Sequence, residues 1–422
     1  MLVAFEILAV FILDYRHEAE QDVYNGPFSQ TARSLWEAGS YILDGAPAFY
    51  PLWGYPLLVL LCGFSPIILL AVQGALCFSA VAYLYATLRI RPSYWHLPIL
   101  VPFIALCSIK WPQAITATLL VILLCSYKRY MEKPSLKLLL IGGFAAGLAV
   151  NMRGESWIWG PVIFFSLIFS TGPGLRARGA RFGAAVVVIQ LLCISPWTIR
   201  AYAQLGTFRL TPSHGGDMAL LSLGQFPDNP WGIECKDSFG HRFAAERNLG
   251  SPYSPSADVV MRREFFRRIS EDPMAFAGKV FYNFSSVFRH GVFTGQFFTL
   301  AMTEAAYWEN HEKLKAMGYS WFLTEMPRSI VMPMTLYLGV DYIFRAGWLL
   351  LLCAVMIVAV QRAMNGAPLP PMVSLTIAFI FATIALVSLL HYEPRHVTFL
   401  WLPLFASFLL MRPSPGVSAR TE

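Results

Sequence analysis

Apolar positions in this chain come in long runs, not in the narrow stripes of a water-facing helix, and polar positions gather between those runs. A helix that crosses the hydrocarbon core of a bilayer needs about 20 residues, within a range of roughly 17–25. Runs of this kind predict spans over residues 1–14, 66–88, 96–110, 112–128, 136–152, 155–171, 182–198, 344–361, 371–390 and 397–412. The run 52–63, opening Leu52-Trp53-Gly54-Tyr55-Pro56, is apolar but short, as is 329–340. Both predict re-entrant or interfacial pieces. The expected fold class is an all-α polytopic membrane protein with about ten transmembrane helices and a loop domain on the outer face.

Composition agrees. Of 422 residues, 56% are hydrophobic and 14% charged, whereas a soluble domain carries about 25% charged residues. Mean hydropathy is +0.53. Aromatics make up 15% and many stand at the ends of apolar runs, as interfacial anchors do. Cys62, Cys77, Cys107, Cys125, Cys193 and Cys353 lie in or beside apolar runs, where Cys acts as a small hydrophobe. Cys235 stands alone in the largest polar segment, and no CxxC or Cys/His metal spacing occurs. Glu6 interrupts the first run, which lacks leading basic residues and a small-residue cleavage site, so a signal peptide is not expected.

The net charge of +7 is distributed by loop. With the N-terminus in the cytoplasm, the inner connections hold Arg89 and Arg91; Lys128, Arg129, Lys133 and Lys137; Arg176, Arg178 and Arg181; Arg362; and Arg412 with Arg420. This is the positive-inside pattern. No basic patch is interleaved with exposed aromatics, so a nucleic-acid partner is not expected. The chain divides into a membrane region 1–198 with a first outer loop 15–51, an outer-face segment 199–343, membrane helices 344–412 and a polar, cytoplasmic tail 413–422 expected to be disordered.

In the first outer loop, Phe28, Ala32, Leu35, Trp36 and Ile42-Leu43 recur at helical spacing. They predict an amphipathic helix lying on the membrane, anchored by Trp36. The second outer segment opens with turn signals at Thr211-Pro212-Ser213-His214-Gly215-Gly216 and Pro227-Asp228-Asn229-Pro230. Ser254-Pro255 and Asp272-Pro273 then read as two helix starts, each a capping residue followed by Pro at the first helical position. Val259, Met261, Phe265, Phe266 and Ile269 predict that the first of these packs one face.

Candidate chemistry gathers on the outer side. Asp14, Glu18, Glu20 and Asp22 follow the first span. They read either as a solvated acidic loop or as the source of a general base. Glu20-Gln21-Asp22 also has a spacing that holds a divalent cation, a common and weak signal; no cofactor is otherwise implied. Arg153 and Glu155 share a short turn, either as a mutual ion pair or with Arg153 facing a phosphate. Arg200 follows Pro196-Trp197 and reads as a snorkelling interfacial Arg or a phosphate ligand. Tyr392 and Arg395 lie in the turn His391–His396. Arg153, Arg200 and Arg395 stand on the side where the charge rule does not call for basic residues, which points to an anion.

Four segments carry a family resemblance. The acidic first loop leads through Ala32-Arg33-Ser34-Leu35 to Ala46-Pro47 and Leu52-Trp53-Gly54-Tyr55-Pro56-Leu57. Gly147-Leu148-Ala149 precedes Asn151-Met152-Arg153-Gly154-Glu155. Ser195-Pro196-Trp197-Thr198-Ile199-Arg200 is followed by Gly206 and Gly215-Gly216. Tyr392-Glu393-Pro394-Arg395-His396 precedes the last span. In this layout the chain resembles the GT-C glycosyltransferases that use a polyprenyl-phosphate sugar donor. It is most similar to the bacterial relatives of protein O-mannosyltransferases and of the aminoarabinose transferase of lipid A. It departs from them at Ala201, where the family has Asn, and near Thr116, where an acidic residue is usual.

The resemblance implies inverting sugar transfer at the outer face of the bacterial cytoplasmic membrane, to a lipid, glycan or protein acceptor. It implies Asp22 or Glu20, with Asp14 and Glu18 behind them, as base, and Arg153, Glu155, Arg200, Tyr392 and Arg395 around the donor phosphate. A phosphate leaves already ionised, so one carboxylate suffices where a hydrolase needs two. A lipid-linked glycan carrier would place ionisable groups at mid-membrane or show repeat symmetry, and the sequence has few such groups. A surface-polysaccharide ligase or polymerase shares the same layout.

Overall fold

The computed structural model describes residues 27–43, 45–96, 100, 103, 112–169, 173–227, 229–289, 313, 317–326, 328–390 and 400–411. The expected span 1–14 and nearly all of 96–110 lie outside these. The described residues of the other expected spans are helical apart from Leu390 and Leu400, and among the described residues five helices are long and apolar enough to cross a membrane. These fall within α3 (Pro66–Leu88), α4 (Pro112–Glu132), α7 (Pro173–Leu205), α13 (Arg328–Met364) and α14 (Pro371–Leu389). Three shorter apolar helical stretches join them: α5 (Leu136–Met152), Gly154–Phe169 around α6 (Trp159–Ser166), and α15 (Trp401–Met411).

The helices form one bundle around α4. Its apolar stretch is 83% buried, against 22–67% for the other four, and it touches α3, α5, α7, α14 and α15. Thr116, where an acidic residue was looked for, is buried and returns its hydroxyl to the Pro112 carbonyl at 2.8 Å. α5 and α7 approach closely because Gly143 and Gly147 stand one turn apart on α5. A Cβ on Gly143 would lie 2.2 Å from Ile189 Cδ1, and one on Gly147 2.5 Å from Cys193 Sγ. Small residues at this spacing bring membrane helices into backbone contact, where van der Waals packing replaces the missing hydrophobic drive.

Two boundaries differ from expectation. α7 continues to Leu205, past the expected helix end at 198. Residues 329–340 are not a separate interfacial piece: α13 runs unbroken from Arg328 to Met364. Its 37 residues reach about 55 Å at 1.5 Å each, well beyond a core of about 30 Å.

Between α7 and α13 lies a small helical lobe of α8 (Gly215–Ser222), α9 (Asp237–Glu246), α10 (Pro255–Glu271) and α11 (Pro273–Arg289), and the short α12 (Tyr319–Glu325) precedes α13. Both expected helix starts are present. Ser254 Oγ accepts from Ala257 N at 3.1 Å, and Asp272 Oδ1 from Ala275 N at 2.9 Å. The lobe has its own core, including Leu220, Leu223, Trp231, Phe243, Met261 and Phe265. Val259 and Phe266 face outward instead. α11 docks on α14 through Lys279, wholly buried, whose Nζ donates to the carbonyls of Leu389 at 2.8 Å and of Leu390. These are orphan carbonyls of a helix C-terminus, where a cation also meets the negative end of the helix dipole.

The helix ends that hold Arg129 and Arg178 lie together at the bundle end away from the lobe. Arg178 donates to the Met131 carbonyl at 3.0 Å, and Arg129 lies 5.5 Å over the Tyr83 ring.

Candidate functional site

The lobe end of the bundle is assembled from segments far apart in sequence. After the first outer loop, α1 (Pro27–Ala38) is amphipathic, with Ala32 buried and Trp36 exposed. The expected helix continued through Ile42-Leu43, but it stops at Ala38. Gly39 takes φ +61°, and Ile42–Leu43 instead pairs as strand β1 with β2 (Ala46–Pro47). The turn is held by Ser34 Oγ, which accepts from Ile42 N at 2.9 Å.

That hairpin is the ligand of Arg200. Arg200 Nη1 donates to the Ala48 carbonyl at 2.7 Å and Nη2 to the Tyr41 carbonyl at 3.2 Å. The guanidinium also lies 4.9 Å over Phe49, 5.3 Å over Tyr41 and 5.6 Å over Trp197. This geometry clamps α7 onto the first outer segment. Ala201 beside it is fully buried. Tyr41 donates its hydroxyl to the Pro51 carbonyl at 2.8 Å, and burial pushes its pKa upward, keeping it a phenol.

The Leu52–Pro56 motif meets the Asn151–Glu155 turn directly. α2 (Gly54–Leu61) begins so close to the end of α5 that a Cβ on Gly54 would lie 2.5 Å from the Asn151 carbonyl oxygen. Asn151 ties α5 to α7 by donating to the Cys193 carbonyl at 3.0 Å. Arg153 caps α5 and makes the ion pair with Glu155 that was one of its two expected readings. Gly154 packs against Pro212, bringing the lobe's first loop over the same spot.

That loop is pinned on both sides. Ser213 N donates to the Phe49 carbonyl at 2.8 Å and Ser213 Oγ to the Tyr253 carbonyl at 2.6 Å. His214, Tyr50 and Tyr253 form a three-ring cluster, with centroids 4.3 Å apart for His214–Tyr50, 5.2 Å for His214–Tyr253 and 5.1 Å for Tyr50–Tyr253. Phe28 at the start of α1 lies 6.3 Å from Tyr50, so the chain leaving the acidic first loop arrives beside this aromatic cluster.

Two buried carboxylates were not singled out from sequence. Asp217, 2% exposed, sits with Oδ2 3.4 Å from His214 Nδ1, and its Oδ1 faces Gly240. Burial first, and the charge of Asp237 second, push its pKa up to about 7. Asp258 is equally buried but charge-compensated. It accepts from Gly216 N at 2.7 Å, from Arg209 at 3.0 Å and from Arg262 at 3.1 Å. A carboxylate titrating near neutrality beside a His is the environment in which acid–base groups are tuned. The one signal available in the sequence was the i, i+3 spacing of His214 and Asp217 at a helix start.

Asp14, Glu18, Glu20, Asp22, Tyr392 and Arg395 lie outside the described residues. Among the described residues, no group of three His, Cys, Asp or Glu is arranged to hold a metal. No family model, curated protein or solved structure matches the chain.

Proposed function

We propose that this chain is a membrane glycosyltransferase that moves a sugar from a polyprenyl-phosphate donor to a lipid, glycan or protein acceptor. The reaction takes place at the extracytoplasmic face of a bacterial cytoplasmic membrane, in a GT-C-like arrangement. One observation carries the reading: three segments named for the resemblance, 46–57, 147–155 and 195–216, meet at one bundle end beneath the lobe. The acidic first loop enters at the same place. Asp22 is five residues before Pro27, a reach of at most about 18 Å, and α1 begins beside the Tyr50–His214–Tyr253 cluster.

In this reading Asp22 or Glu20 takes the proton of the acceptor hydroxyl. Arg153, with Arg395 and Tyr392, holds the donor phosphate by charge-assisted bonds. Glu155 orients Arg153, and Arg200 acts by holding the hairpin that forms the site's floor. A labelled polyprenyl-phosphate sugar incubated with the purified chain tests it. Release of polyprenyl phosphate coupled to a glycosylated acceptor is expected; donor binding without turnover over any acceptor class would favour a carrier instead.

A further inference from the structure

The outward face of α10 carries an open cleft. The cleft, of about 490 Å³, lies between α10 and the loop after α7, lined among others by Arg209, Arg262, Arg263, Asp258, Phe208 and Phe266. Three guanidinium groups face one carboxylate, a local excess of two positive charges. Arg209 and Arg262 both touch Asp258, whereas Arg263 is exposed and has no ion pair among the described residues. The rim is apolar and bare. Phe208 is 75% exposed and Phe266 62%. Tyr202, itself half exposed, stacks on Phe208 at 4.6 Å.

The depth of this cleft follows from α7. Arg176, Arg178 and Arg181 open that helix at the end away from the lobe. About 20 residues of apolar helix beyond Arg181 cross the hydrocarbon and end near Tyr202. Phe208 and the cleft therefore stand at headgroup depth, where aromatic rings settle with one face apolar and one wet. Arginines beside them meet lipid phosphates, which their planar donors match.

We infer that this cleft binds the phosphodiester headgroup of an anionic phospholipid, with Phe208 and Phe266 seated against its glycerol and upper acyl region. The bound lipid would moor the lobe to the membrane surface. The inference rests on the membrane-spanning helices and the cleft, and is independent of the sugar-transfer reading.

Native mass spectrometry of the full chain in detergent, with phosphatidylglycerol or phosphatidylcholine added, tests it. Wild type should retain phosphatidylglycerol preferentially. Each basic residue near an anionic surface contributes about five-fold. Arg263→Gln, which removes no ion pair, should therefore lower that retention about five-fold, and Arg262→Gln combined with it should bring retention to the phosphatidylcholine level. Arg242→Gln, on the exposed side of α9, should leave it unchanged. Equal retention of the two lipids by wild type would overturn the proposal. So would an undiminished preference in the double variant, or an equal loss in Arg242→Gln. Displacement by soluble sn-glycerol 3-phosphate at the lipid's own concentration would show a free-anion site and overturn the lipid assignment.

Discussion

Arg200 and the Ala48 carbonyl stand 152 residues apart and meet at 2.7 Å, so the last turns of α7 and the first outer hairpin are one structural unit. Two carbonyls and three rings share the guanidinium. A Lys has no planar fork to reproduce that set. Arg200→Lys should lower the thermal midpoint in detergent through loss of about 1.5–3 kcal/mol, the worth of a charged hydrogen bond. A midpoint equal to wild type, with weakened donor binding alone, would return Arg200 to the role of phosphate ligand.

Gly216 and its neighbour Gly215 give a paired test of lobe packing. A Cβ on Gly216 would lie 2.2 Å from the Asp258 carbonyl oxygen, which is backbone, whereas one on Gly215 would first meet the movable end of Arg262 at 3.3 Å. Gly216→Ala should cost about 1–3 kcal/mol by overpacking and expose the lobe to limited proteolysis. Gly215→Ala should be nearly silent. Identical digestion patterns for both would disprove the close approach of α8 and α10.

Asp217 makes lobe stability depend on pH. Its folded pKa of about 7 lies above the unfolded value of 3.8. Between these values the folded state holds a proton that the unfolded chain releases. The contribution is thus complete below about pH 4 and is lost as pH rises through about 7. His214 and Asp237 face the same carboxyl. Thermal unfolding followed from pH 5 to 8 should show the midpoint falling with pH, and Asp217→Asn should flatten that slope. An Asn variant with the wild-type slope would assign it elsewhere.

Neutralising the first outer loop should separate binding from chemistry. Asp22→Asn or Glu20→Gln is expected to reduce sugar transfer about 10²–10⁴-fold, the usual loss on removing a general base, with donor binding kept. Transfer that survives single neutralisation of Asp14, Glu18, Glu20 and Asp22 would remove the base from this loop and direct attention to Asp217.

Topology is open to a direct measurement. Gly216 opens α8 in the lobe, and Asn365 lies in the connection from α13 to α14 at the opposite bundle end. Reporter fusions there should report opposite sides of the membrane, with Asn365 cytoplasmic. Matching signals would mean that α13 does not cross.

What could be read along the chain was what neighbouring residues decide among themselves. Run length located the helices from α3 to α7, α14 and α15, of which α3, α4, α7 and α14 are long and apolar enough to cross a membrane, because burying some 20 backbone units in hydrocarbon depends on the local stretch alone. The starts at Pro255 and Pro273 were legible because Ser254 and Asp272 cap helices three residues away. The Arg153–Glu155 pair was legible for the same reason. Helical spacing failed at Ile42-Leu43, where Gly39 turns the chain and a strand partner supplies the hydrogen bonds that the helix would have. The partners of Arg200, the burial of Asp217 and the compensation of Asp258 were decided only in three dimensions. A charged group's state depends on which distant carbonyls, rings and guanidinium groups surround it, and packing between α5, α7 and the lobe selects those.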